Sequence, residues 1–168
     1  MDYLSPTYFF DYESEEIQKL VVEFKNTSFT VKEKTKLLYL KVRDSQRYNP
    51  YSLSFSKENF RASKISKKTK GPCVDKSIVL IVCLRALGIP ARIHLAKVKN
   101  HIGVERLTEK FGTNELTNHG MVNAYIDGKW LKLFPAFNAS MCKMFENIIL
   151  TFLIMVRIRQ NLNCRIKN

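Results

Sequence analysis

Cys73 lies in GPCVDKSIVLIVCLRALGIPARI, and His119, 46 residues later, begins HGMVNAYIDGKWLKLFP. A thiol and an imidazole are the two groups that nucleophilic cysteine chemistry needs. The imidazole removes the S–H proton, the sulfur attacks a carbonyl carbon, and the proton passes to the leaving group. The setting of Cys73 suits the nucleophile. Gly71 and Pro72 break the chain just before it, and the next residues read as one apolar helix closed by Gly88 and Pro90. Cys73 therefore falls in the first turn. Unpaired amide hydrogens and the positive end of the dipole there favour a thiolate. The setting of His119 suits the base, because an alternating apolar stretch reads as a strand that presents its side chains rigidly.

The elements that must position this pair follow from periodicity and turn chemistry. Residues 14 to 25 place Ile17, Leu20, Val21 and Phe24 at helical spacing. A second helix begins at Thr30, where Glu33 completes a capping-box pattern, and carries Leu37, Leu38, Leu40 and Val42 on its apolar side. Residues 49 to 71 read as a loop. The Cys73 helix runs to about Leu87, and its middle, IVLIVCL, is apolar on every side, as expected of a buried central helix. Residues 91 to 98 read as a strand and 104 to 112 as a short helix or irregular crossover.

Asp127 and Gly128 stand between two strand-like runs, the chemistry of a two-residue type I′ hairpin turn. That turn pairs Ile126 with Lys129, so paired residue numbers add to 255. His119 would lie opposite Ala136, with Phe134 and Asn138 as its diagonal neighbours on one face of the hairpin.

The 168 residues, 45% hydrophobic and 26% charged, suit one globular domain. No run approaches the roughly 18 apolar residues of a membrane span, and no signal peptide is evident, so the chain reads as cytoplasmic. The cysteines at 73, 83, 142 and 164 are too sparse for a disulfide framework and match no zinc spacing. No cofactor or metal is expected. The net charge of +13 is mostly lysine spread along the chain. Only residues 56 to 70 are dense in it, with Lys57, Arg61, Lys64, Lys67, Lys68 and Lys70. This stretch has one ring, Phe60, and lacks the aromatic platforms of a single-strand reader. It reads as a solvated loop or as a weak source of positive potential near Cys73. No specific nucleic-acid partner is expected.

With these residues in place, the chain resembles the transglutaminase-like superfamily, in its bacterial and archaeal cytoplasmic branch. The resemblance rests on SPTYFFDY, RYNPYSL, the Gly-x-Cys helix start running to RALGIPARI, Asn100-His101, and the histidine strand followed by DGKWLKLFPAFN. These landmarks span about residues 5 to 145. It implies an α+β, papain-like fold in which a helix bearing the nucleophile packs on an antiparallel sheet bearing the base. It further implies acyl transfer through a thioester, with Cys73 as nucleophile and His119 as base and acid. The Cys73 amide would serve as one oxyanion donor; Tyr48 or Tyr51 is a side-chain candidate that the sequence does not place. The substrate would be a peptide or protein amide.

Two departures stand out. Phe134 occupies the position at which the family carries an aspartate before proline, and a phenyl ring cannot accept the imidazole N–H. Asn138 is the substitute that the hairpin register offers, unless Pro135 ends the strand first; a backbone carbonyl, a water or no orienter are the alternatives. The candidate catalytic set is thus Cys73, His119 and Asn138. The second departure is the tail. Residues 1–145 read as the domain and 146–168 as an atypical apolar then basic extension: a buried C-terminal helix, an interfacial helix, or the product of a frameshift or truncated gene. His94 reads as structural, His101 as a loop residue that could line the cleft, Cys83 as core, and Cys142 and Cys164 as incidental. A degenerate member that keeps the fold as a binding module is the second functional class, and a charge-driven nucleic-acid binder the third. The oligomeric state is left open.

Overall fold

A computed structural model describes residues 2–25, 28–54, 56–99, 108–109, 112 and 115–144. Helix α1, Glu15–Lys25, buries Ile17, Val21 and Phe24 one turn apart. Helix α2, Val31–Ser45, starts at the expected capping box, in which Glu33 N–H donates to Thr30 Oγ1 and Thr30 N–H donates to Glu33 Oε2. Its buried stripe is Thr35, Leu38, Tyr39 and Val42. Leu37, expected on that side, is exposed. The stripe turns toward Tyr39 because its ring fills the core while its hydroxyl donates to the Phe134 carbonyl at 3.0 Å.

The segment expected as a loop is more structured than its composition suggests. A 3-10 turn at Lys57–Phe60 leads into a short helix, α3, Ala62–Ile65, whose Ala62 and Ile65 join the core. Asp11 anchors it, accepting from Ser63 N–H at 3.0 Å and Ser63 Oγ at 2.5 Å and pairing with Arg61. On either side of α3, Arg47–Tyr48 (β1) pairs in parallel with Lys70–Gly71 (β2), setting Tyr48 beside Gly71.

Helix α4, Cys73–Ala86, is the central helix. Every residue from Ile78 to Leu84 is buried, and it packs on α1, α2, α3 and the main sheet. It stops at Gly88, whose φ of +74° suits a residue without a side chain. The main sheet is antiparallel, with order β3-β4-β5 from Ala91–Lys99, Glu115–Ile126 and Lys129–Leu133. Asp127 and Gly128 both have positive φ, 50° and 79°, as the type I′ turn requires. The register is the expected one, from Ile126↔Lys129 to Val122↔Leu133. Val122, Ala124 and Leu133 face the core, so the expected α+β arrangement is present, with the helix that begins at Cys73 packed on an antiparallel sheet.

Two details shape the end of the sheet nearest Cys73. Strand β5 ends at Leu133, so pairing with β4 stops before it reaches His119. Between the pairs Ala96↔His119 and Val98↔Leu116, β4 carries one more residue than β3. That β-bulge lies directly before His119, where it re-aims the strand. The expected crossover at 104–112 lies largely outside the described residues, as do His101 and the tail from 145 onward.

Candidate active site

Pro72, extended at φ −74° and ψ 176°, precedes α4 and leaves Cys73 as its first residue. The sulfur accepts the backbone N–H of Gly120 at 3.3 Å. In the hairpin register the residue across from Gly120 would be Pro135, beyond the end of β5, so this amide has no strand partner on that side and turns to the sulfur. Gly120 also allows the approach. A Cβ there would lie 2.9 Å from Val74 Cα and 3.1 Å from Val74 N, closer than helix backbone and strand tolerate. The helix start and the strand thus touch backbone to backbone, and Cys73 arrives at the residue next to His119.

The electrostatics differ from the sequence expectation of a stabilised thiolate. Burial pushes the Cys73 thiol pKa up, and the amides of Gly120, Val74 and Cys73 pull it only partly back. Burial is the only cause acting on His119, whose pKa is pushed down to about 4. His119 is 3% exposed, and its Nε2 has no hydrogen-bond partner among the described residues. At neutral pH both groups therefore rest uncharged. The dipole and amides of the helix start are real, but they are weaker than the cost of holding a charge in this setting.

Asn138 is not brought to His119. Its Nδ2 donates to the carbonyls of Arg43 at 2.7 Å and Gln46 at 2.8 Å, and its Oδ1 accepts Tyr48 N–H at 2.7 Å. Lys76, fully buried, donates through Nζ to the same two carbonyls at 2.6 and 2.9 Å. The two side chains together cap the C-terminal end of α2, where carbonyls are otherwise unpaired and the dipole favours a cation. Pro135 is the physical reason for the difference: β5 ends before it, and the following residues cross to α2 instead of continuing the hairpin face.

Phe134 is where the register places it, beside His119. The two rings lie 4.8 Å apart at 31°. Phe137 meets Phe134 edge-on at 5.3 Å, and Tyr48 meets Phe137 edge-on at 5.2 Å. Tyr48 has its phenol pKa raised, first by burial and then by the charges that Cys73 and Tyr51 can carry. Gly120 was missed in the sequence. A glycine in a strand directly after the candidate base is the signal that could have marked it, because such glycines permit close backbone approach.

The remaining candidates lie elsewhere. His94 is half-buried opposite Met121. Cys83 is sealed in the core, where burial pushes its thiol up to about 12. Of the dense basic segment, Arg61, Lys67 and Lys68 pair with Asp11, Glu16 and Asp75. Lys57 lies over the Tyr8 ring at 4.8 Å. Among the described residues no cluster of three His, Cys, Asp or Glu could hold a metal, and no helix is long and apolar enough to cross a membrane.

Comparison with known proteins agrees with the geometry. The model of the transglutaminase-like superfamily matches residues 18–135. No curated protein matches the sequence. Among solved structures, a proposed cysteine protease from Cytophaga hutchinsonii superposes with a TM-score of 0.60 at 19% identity, over 80% of this chain and 40% of that one. At this identity the likeness concerns the fold alone, and the chain spans less than half the length of that protein.

Proposed function

Because this chain belongs to the transglutaminase-like superfamily, we propose that it is a cysteine acyl-transfer enzyme acting on a peptide or protein amide, with Cys73 as nucleophile and His119 as base. The observation that carries this reading is the 3.3 Å hydrogen bond from Gly120 N–H to Cys73 Sγ, which holds the sulfur against the residue that follows the base. Attack begins as His119 takes the S–H proton and sulfur bonds to the carbonyl carbon. The amide at the start of α4 receives the developing oxyanion, with Tyr48 O–H as a second donor. The C–N bond then breaks, the amine leaves with the proton from His119, and a thioester on Cys73 remains. Water or an amine attacks the thioester, gives its proton to His119, and releases an acid or a new amide as the thiol is re-formed.

The test is trapping of the thioester. Incubation with a panel of peptidyl amides and activated esters, followed by peptide mass analysis, should show an acyl group on Cys73 that hydroxylamine removes, and none in Cys73→Ser at the same position as a thioester. Absence of acylation across the panel by a folded protein would overturn the enzyme reading. A second reading, a binding module that retains the fold, is favoured by one observation: Phe134 at the position of the expected carboxylate. It forecasts retained peptide affinity with no acylation.

A further inference from the structure

We propose that Phe134 is a positioning residue for His119: its ring face holds the imidazole by stacking, and proton transfer from Cys73 awaits a bound carbonyl. This rests on the proposed roles of Cys73 and His119. The rings are 4.8 Å apart and tilted by 31°, a separation in the range of favourable aromatic pairs. Phe134 is itself held from two sides, by Tyr39 O–H donating to its carbonyl at 3.0 Å and by the edge of Phe137. The stack is therefore built on α2 and on the segment after β5, and does not depend on a hydrogen bond to the imidazole.

Among the described residues no carboxylate is hydrogen-bonded to His119 Nε2, and burial alone shifts its pKa. The titratable side chains that the elements around His119 carry include Tyr39 and Asp44 on α2, Tyr48 on β1, Cys73, Asp75 and Lys76 on α4, Arg92, His94 and Lys97 on β3, Glu115 on β4, and Lys129 and Lys132 on β5. Asp75 is buried and paired with Lys68 at 2.7 Å, and Asp44 is paired with Arg43 at 2.5 Å. His119 Nε2 is buried without a partner among the described residues. Among the described residues an imidazolium formed here has no hydrogen-bonded counter-charge, and burial disfavours an ion pair with the Cys73 thiolate at rest. Once sulfur bonds to a carbonyl, the negative charge moves to an oxyanion held by amides, and the proton transfer no longer has to leave a buried thiolate. The energetic role of a carboxylate passes to the substrate.

The experiment measures the pH profile of Cys73 alkylation by iodoacetamide, read from the mass of the Cys73 peptide, in the full chain. The wild type should show a single limb that rises toward alkaline pH with no plateau between pH 5 and 7, about where an ion pair would give one. Phe134→Asp puts a carboxylate against the imidazole and should add an acid-side plateau, with alkylation at pH 6 faster by about tenfold. Phe134→Asn offers an acceptor without a buried charge, so it remains informative if the aspartate variant does not fold; it should shift the profile the same way by less. The His119 ring protons, shielded by the facing ring in the wild type, should move downfield in both variants. Folded variants whose profiles and His119 resonances superpose on the wild type would overturn the proposal. A wild-type plateau at pH 5 to 7 would overturn it too. None of these readouts needs turnover: a shifted profile without acylation defeats only the enzyme reading, and acylation with an unshifted profile defeats only this inference.

Discussion

Gly120 donates its backbone N–H to the sulfur of Cys73 across 3.3 Å, joining the first residue of the central helix to the residue after the candidate base. The contact exists because β5 has ended and because Gly120 has no side chain to keep Val74 away. It fixes the sulfur from the strand side through a backbone amide alone.

Gly120→Ala tests this joint. A Cβ 2.9 Å from Val74 Cα must push helix and strand apart. The expected cost is about 1–3 kcal/mol of stability. Displacement of the sulfur should lower acylation of Cys73 by about 100-fold. Urea melts and acylation rates measure the two effects, and an alanine variant with native values for both would show that the close approach is not needed.

Asn138→Ala separates a structural from an orienting role. Removing the amide takes one donor from each of the Arg43 and Gln46 carbonyls and leaves Tyr48 N–H unpaired, for an expected loss of about 1–3 kcal/mol. Because Asn138 does not reach His119, the pH at which Cys73 alkylation rises should stay where it is. Lys76→Met, which strips the other donor from the same carbonyls, should couple to Asn138→Ala by about 0.5–3 kcal/mol in a double-mutant cycle.

Stability should depend on His119 in acid. Its folded pKa, about 4, lies below the ordinary histidine value of 6.5, so between these values the unfolded chain binds the extra proton. Stability is then full above about pH 6.5 and falls as pH drops toward 4, by up to about 3 kcal/mol at 1.36 kcal/mol per unit. His119→Gln should flatten this part of the pH–melting curve. A variant curve parallel to the wild type would assign the acid sensitivity to other groups.

Cysteine reactivity should divide by position. Cys73 is partly accessible and Cys83 is sealed in the core with its thiol pushed up to about 12. Iodoacetamide at pH 8 should label Cys73 in the native protein and reach Cys83 only on unfolding. His119→Asn should leave Cys73 alkylation at alkaline pH intact while lowering acylation by about 100- to 10,000-fold, the usual contribution of a general base. Equal loss of both would point to a disrupted site instead of a missing base.

Local order was legible in the residues themselves. The capping box at Thr30, the apolar run after Cys73 and the Asp127-Gly128 turn act over a few positions, and each produced the element and register it implies, including Phe134 beside His119. The segment around α3 was not legible, because its helical turns depend on Asp11, which lies more than 50 positions away. Asn138 was misplaced for a related reason. Extrapolating a hairpin register assumes that the strand continues, and Pro135 sends the chain toward α2, where two carbonyls and one amide compete for the same side chain.

The sequence by itself determined which chemistry this chain could carry and on which elements, since a helix-start thiol, a strand imidazole and a two-residue turn are set by near neighbours. Tertiary structure decided the rest. The amide that meets the sulfur, the bulge before His119, the cap shared by Lys76 and Asn138 and the uncharged resting state all arise where distant segments pack. Burial is a property of the assembled core, and here it outweighs the helix start that alone would have favoured a thiolate.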